Sequence, residues 1–148
     1  MNKIFLAAIL LMIVGVSCTK SGTSDNLNWE DKLETALQKA KSENKAVLVN
    51  FTGSDWCVWC QKLSAEVFSQ PEFEDYANEN LILVKIDFPE KIEQSVETKM
   101  YNNQLAQRFG IEGYPTIFLL KNDGSVALKT GYLPGGPVNY VSQLKSYL

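Results

Sequence analysis

The chain is predicted to fold as an α/β domain with a mixed sheet covered by helices on both faces, a three-layer α/β/α sandwich. Three observations predict it. Apolar, Val-rich runs at Ala46 to Phe51 and Leu81 to Ile86 are separated by helical spacing, and a strand-helix-strand unit of this kind makes a parallel pair. A third run, Thr116 to Leu120, is followed by the turn signal Asn122-Asp123-Gly124-Ser125 and then by Val126 to Gly131, which reads as an antiparallel hairpin. Helical patterns stand before, between and after these strands, so both faces of the sheet find cover. Four or five strands fit the length.

Taken in order, Asn28 offers an N-cap, and Trp29, Leu33, Ala36, Leu37 and Ala40 recur at helical spacing, predicting a first helix that ends near Glu43-Asn44. After the first strand and Thr52-Gly53-Ser54, the cysteines Cys57 and Cys60 open a second helix continued by Leu63, Val67 and Phe68. Pro71 suits the first turn of a third helix with Phe73 and Tyr76 inward. Asp87-Phe88-Pro89 closes the second strand. The polar stretch from Pro89 to Asn103 reads as a solvated, weakly helical face or as a partner-facing insertion. Leu105, Ala106 and Phe109 make a clearer helix stopped by Gly110. Past the hairpin, Pro134-Gly135-Gly136-Pro137 breaks the chain, and Val138, Val141, Leu144 and Leu148 mark a terminal amphipathic helix.

The N-terminus is read separately. Met1-Asn2-Lys3 precedes an apolar run from Ile4 to Val16, too short for a confident membrane span and suited to a signal peptide over residues 1–17. Val14-Gly15-Val16-Ser17-Cys18 resembles the lipobox of bacterial lipoproteins, with Gly15 where Leu is commoner, which implies lipid attachment at Cys18. The alternative is ordinary cleavage near Ser17. Three cysteines leave one odd thiol once Cys57 and Cys60 pair, and lipidation of Cys18 removes it. Residues 18–28, mostly Thr, Ser, Gly, Asp and Asn, read as a tether with a reach of roughly 17 Å. Residues 29–148 then form one domain.

Composition excludes several functions. The formal net charge of −3 makes nucleic acid and anionic surfaces poor partners. With no histidine in the chain, histidine triads and histidine metal ligation are excluded. No glycine-rich nucleotide motif is present, so no cofactor is expected and electrons must come from another protein.

The informative motif is Ser54-Asp55-Trp56-Cys57-Val58-Trp59-Cys60. A cysteine at a helix start meets free backbone N–H groups and the positive end of the helix dipole, which stabilise a thiolate. The second cysteine, about one turn on, is within reach of the first, so the pair can cycle between dithiol and disulfide. A static structural disulfide is the plain alternative. Trp56 and Trp59 give the site an apolar rim suited to a docking polypeptide, although Trp59 can equally serve packing.

Strand, W-C-x-x-C at a helix start and Gly113-Tyr114-Pro115-Thr116 opening the hairpin resemble the thioredoxin superfamily over Trp29 to Leu148. The chain is most similar to the exported branch with G-S-D-W-C-x-W-C, E-V-F and D-F-P, here Gly53 to Cys60, Glu66-Val67-Phe68 and Asp87-Phe88-Pro89. The C-terminal domain of periplasmic electron-relay reductases is a related comparison. The resemblance implies that Cys57 attacks, that Cys60 resolves the mixed disulfide from inside the helix, and that Pro115 is a cis-proline beside them. Tyr114 would then present its backbone, and with it its ring, to the partner. A trans proline at a strand's first residue is the other reading.

One departure from the family concerns its buried acid and that acid's lysine partner. Asn50 stands nearest the acid's place, and Leu83 is read as taking the lysine's. Resolution by Cys60 would then lack its usual internal base, with Asp55 and Glu66 as substitutes by sequence or as solvated surface acids. The dipeptide Val58-Trp59 carries no charge to stabilise the thiolate strongly, unlike the strong oxidants, which lie at the −120 mV end of a superfamily range of about −270 to −120 mV. The resemblance thus implies a thiol-disulfide oxidoreductase of the bacterial cell envelope, a periplasm-facing lipoprotein and monomer. It would exchange disulfides with client proteins as reductase or isomerase and draw on a membrane electron donor. The alternative is a module whose cysteines carry Cu(I) to a partner.

Overall fold

A computed structural model describes residues 27–148. The signal segment, Cys18 and all but the last two residues of the expected tether lie outside the described residues. The elements are β1 (Trp29–Glu30), α1 (Leu33–Glu43), β2 (Ala46–Thr52), α2 (Val58–Leu63) running into a π-helical turn (Ser64–Phe68), α3 (Pro71–Asn80), β3 (Leu81–Asp87), α4 (Val96–Phe109), β4 (Thr116–Leu120), β5 (Val126–Thr130) and α5 (Gly136–Lys145). Five strands form one mixed sheet in the order β1-β3-β2-β4-β5. β1 and β2 run parallel to β3, whereas β4 lies antiparallel to β2 and β5 to β4.

Alternation along the central strands builds two cores. Leu48, Leu83, Ile117 and Leu119 face α2, the π turn, α3 and α5, where Phe68, Phe73 and Tyr140 fill the layer. Val47, Val49, Phe51, Val84, Ile86 and Phe118 face α1 and α4 on the opposite side. The three-layer sandwich follows from β2 being buried at every position.

Three expectations need correction. The first helix begins at Leu33, and Trp29 lies in a two-residue strand paired with Leu83 instead of on a helix face. Trp29 packs its ring on Phe68 at 5.4 Å, and Leu27 joins the same core, so tertiary contact outweighs the helical spacing. The terminal helix buries Tyr140, Val141 and Leu144, while Val138 and Leu148 are exposed. Tyr140 donates to the Gly131 carbonyl at 3.2 Å, which turns that face inward. Residues 89–95 are not helical; α4 starts at Val96, with Ser95 as N-cap accepting from the Thr98 N–H at 3.1 Å.

Topology gathers three loops at one end of the sheet. β2 and β3 are parallel, so the turns after Thr52 and Asp87 leave from the same end. β4 is antiparallel to β2, with Thr116 opposite Phe51, so the segment before β4 enters there too. In sheets of this kind ligand sites form outside the carboxyl ends of the strands.

Candidate redox site

At that end Cys57 and Cys60 are joined by a disulfide with Cα atoms 5.2 Å apart. Cys57 is the N-cap of α2, and its Sγ accepts the Cys60 backbone N–H at 3.2 Å. The N–H of Gly53 points at Cys60 Sγ from 3.5 Å. Each sulfur therefore sees a backbone N–H in a low-dielectric setting. That arrangement favours negative charge at Cys57 when the bond opens. Both cysteines are buried, Cys57 at 6% and Cys60 at 5% exposure.

The peptide bond between Tyr114 and Pro115 is cis. The Tyr114 ring lies edge-on to Trp56 at 5.8 Å and tilted against Phe88 at 5.2 Å, so it forms part of the wall of the site. Burial raises its phenol above the ordinary value. Trp56, at 39% exposure, folds over Gly53 and donates Nε1–H to the Phe88 carbonyl at 2.7 Å. Trp59 is more open, at 54%, and stacks on Tyr132 at 5.2 Å. The structure thus brings Trp56, Tyr114 and Phe88 into one aromatic wall and sets Trp59 with Tyr132.

Neither suggested substitute base bonds to a sulfur. The Asp55 carboxylate accepts the backbone N–H groups of Glu90, Lys91 and Ile92 at 2.9, 2.7 and 3.0 Å. Those bonds, that of Glu90 foremost, hold its carboxyl below the usual range. Glu66 accepts the Tyr132 hydroxyl at 2.6 Å and lies 3.7 Å from Lys62. The Tyr132 hydroxyl first, and the Glu66 charge after it, raise the Lys62 ammonium.

The strand register corrects the assignment of Leu83. Asn50 pairs with Lys85, whereas Leu83 pairs with Leu48 and is buried in the core. Residues two apart share a face of a strand, so the lysine position beside Asn50 is occupied. Asn50 is 6% exposed and its Oδ1 has no hydrogen-bond partner among the described residues. It lines a cavity of about 310 Å³ together with Thr52, Cys60, Ser64 and Lys85. An amide takes up no proton at neutral pH, so Asn50 supplies no base.

Two features escaped the sequence reading. Asp87 accepts the Ser54 N–H at 2.9 Å and the Ser54 hydroxyl at 2.5 Å, tying β3 to the cysteine loop. Asn102 is buried on α4 and donates to the Asp87 carbonyl at 2.8 Å, as does Gln94 at 3.1 Å. A lone polar residue in a polar stretch carries no signal of burial. The triplet Ser54-Asp55-Trp56 did stand in the motif, but its partners lie more than thirty residues away.

Residues 33–140 match the family of thioredoxin-like domains, and the chain belongs to that family. With its cysteine pair joined, it is a thioredoxin-like disulfide oxidoreductase. Among proteins of known name it is similar to the disulfide bond reductase DsbH of Chlamydia pneumoniae, 35% identical over 130 residues that cover 88% of this chain and 78% of the relative. It also matches the thioredoxin-related protein DsbJ of Chlamydia pneumoniae at 28% identity, spanning 97% of this chain but only 44% of DsbJ. Among solved structures, a DsbH oxidoreductase superposes with a TM-score of 0.78 at 31% identity, covering 97% of this chain and 94% of that one. The oxidised DsbD C-terminal domain of Neisseria meningitidis shares the fold, with a TM-score of 0.61 at 19% identity over 82% of this chain and 100% of that one.

Proposed function

We propose that the chain is a disulfide reductase of the bacterial cell envelope, anchored through a lipid on Cys18 and fed with electrons by a membrane protein. The observation that carries the reading is the Cys57–Cys60 disulfide at the N-terminus of α2, with Cys57 in the N-cap position. The apolar run before Cys18 supports export, and the name of the DsbH relative supports reduction over oxidation. The uncharged dipeptide Val58-Trp59 supports the same direction, because nothing charged within it over-stabilises the thiolate.

In the reduced protein the Cys57 thiolate attacks one sulfur of a client disulfide and forms a mixed disulfide, and the other client sulfur leaves as a thiolate that takes a proton. Cys60 loses its proton and attacks Cys57 Sγ. The second client thiolate departs, and the Cys57–Cys60 bond closes. Two electrons pass to the client, and the donor restores the dithiol. Trp56, Trp59, Tyr114 and Pro115 line the approach and hold the client chain beside Cys57.

A trapping experiment tests this order. With Cys60→Ser, a disulfide-bonded peptide should accumulate as a mixed disulfide on Cys57, visible by mass under non-reducing conditions; with Cys57→Ser it should not. Accumulation on Cys60 in the latter variant, with none in the former, would reverse the roles.

A further inference from the structure

The side chains or backbone of all three residues immediately before Cys57 grip one segment. Ser54 binds Asp87, Trp56 binds the Phe88 carbonyl, and Asp55 closes on three successive amides from Glu90 to Ile92. A carboxylate accepting three backbone N–H groups makes charge-assisted bonds, roughly twice as strong as neutral ones, so this turn is held firmly. The segment it holds exposes one large apolar side chain, Ile92, among charged neighbours. Of the ten large hydrophobic side chains exposed among the described residues, six lie in these two stretches or in the helices that follow them: Trp56, then Val58 and Trp59 on α2, and Ile92, then Val96 and Met100 on α4.

Val96 and Met100, one helical turn apart, share a face of α4, and Ile92 precedes them in the clamped turn. α4 is fixed in turn by Asn102 and Gln94 on the Asp87 carbonyl. The 90–92 turn and α4 are therefore both tied by hydrogen bonds to the segment that follows β3, which also binds the redox turn. Glu90, Lys91 and Glu93 of the same loop carry both signs of charge, which leaves apolar contact as the means of selection.

We propose that Asp55 is a positioning residue for client recognition. By fixing the turn at residues 90–92 it sets Ile92, Val96 and Met100 beside Trp56 as an apolar rim. The rim selects polypeptides with apolar residues next to their reactive cysteine. The inference rests on the disulfide-exchange reading above, since a client sulfur brought to Cys57 must lay its flanking residues along this rim. Chemistry is unchanged: the dithiol gives two electrons to the client disulfide and closes to Cys57–Cys60.

The test uses two synthetic peptides, each joined through one cysteine to glutathione, one with leucines beside the cysteine and one with serines. The reduced protein converts each to peptide thiol and glutathione. The wild type should favour the leucine peptide by about tenfold, the discrimination that roughly two buried methylenes supply. Combining Ile92→Ser, Val96→Ser and Met100→Ser should bring the ratio close to one. Asp55→Ala should lower the ratio as well and speed amide exchange at Glu90, Lys91 and Ile92, with Asp55→Asn in between. A ratio unaltered in all these variants would overturn the proposal, as would concentration-dependent dimerisation abolished by the triple serine variant, which would make the rim an interface between copies. Failure of the wild type to reduce either peptide would instead refute the underlying exchange reading.

Discussion

Gly53 has no room for a side chain. A Cβ built on it would lie 2.5 Å from the Trp56 ring, whose Nε1 is held by the Phe88 carbonyl. Gly53→Ala must push that ring off its hydrogen bond. The expected outcome is a changed tryptophan fluorescence in the native state and a loss of about 1–3 kcal/mol in denaturant unfolding. At this scale the sequence disclosed the chemistry and hid the supports. The cysteine pair was legible because its spacing is set by local backbone, and Pro115 because the segment Gly113 to Thr116 resembles that of a known family. The duties of Asp55, Asp87 and Asn102 were not, because each is defined by a partner far along the chain. Leu83 was misplaced for a related reason: only strand register reveals that Asn50 faces Lys85.

At the scale of elements, α1 shows what local sequence cannot supply. Its N-cap residue, Lys32, makes no side-chain cap, and the Leu33 N–H donates instead to the Tyr101 hydroxyl of α4 at 2.7 Å. That hydroxyl donates onward to Glu34 at 2.7 Å. Helix starts left without an acceptor lose about 1 kcal/mol, so Tyr101→Phe should cost that much in denaturant unfolding. Burial first, and the bond to Glu34 after it, push the Tyr101 phenol from 10.0 up to about 12. Since the folded state holds its proton more tightly, this contribution is full below pH 10 and is lost as pH rises toward 12. The stability difference between wild type and Tyr101→Phe should therefore narrow over that alkaline window. Strands β2 to β5 were legible from apolar runs and turn residues, whereas β1 is two residues long and its Trp29 fits helical spacing equally well. The irregular turn at 89–95 was hidden because the amides of Glu90, Lys91 and Ile92 are satisfied by Asp55 and not by a local pattern.

The whole molecule places its chemistry where its topology directs three loops. Two parallel strands, β2 and β3, deliver the cysteine turn and Phe88, and antiparallel β4 brings Tyr114 and Pro115 to the same end. The two cores pack on either side of the sheet that carries that end. Cys57 sits at the N-terminus of α2 with one backbone N–H on its sulfur and, among the described residues, no hydrogen-bonded side-chain cation, a setting that stabilises a thiolate moderately. Moderate stabilisation of the reduced form means moderate oxidising power. The most direct measurement is the reduction potential of the Cys57/Cys60 pair, by equilibration of the purified protein against glutathione and dithiothreitol buffers. A value near that of thioredoxin, about −270 mV, is the predicted result for a reductase. A value approaching about −120 mV would identify an oxidant and contradict the direction of electron flow assigned here.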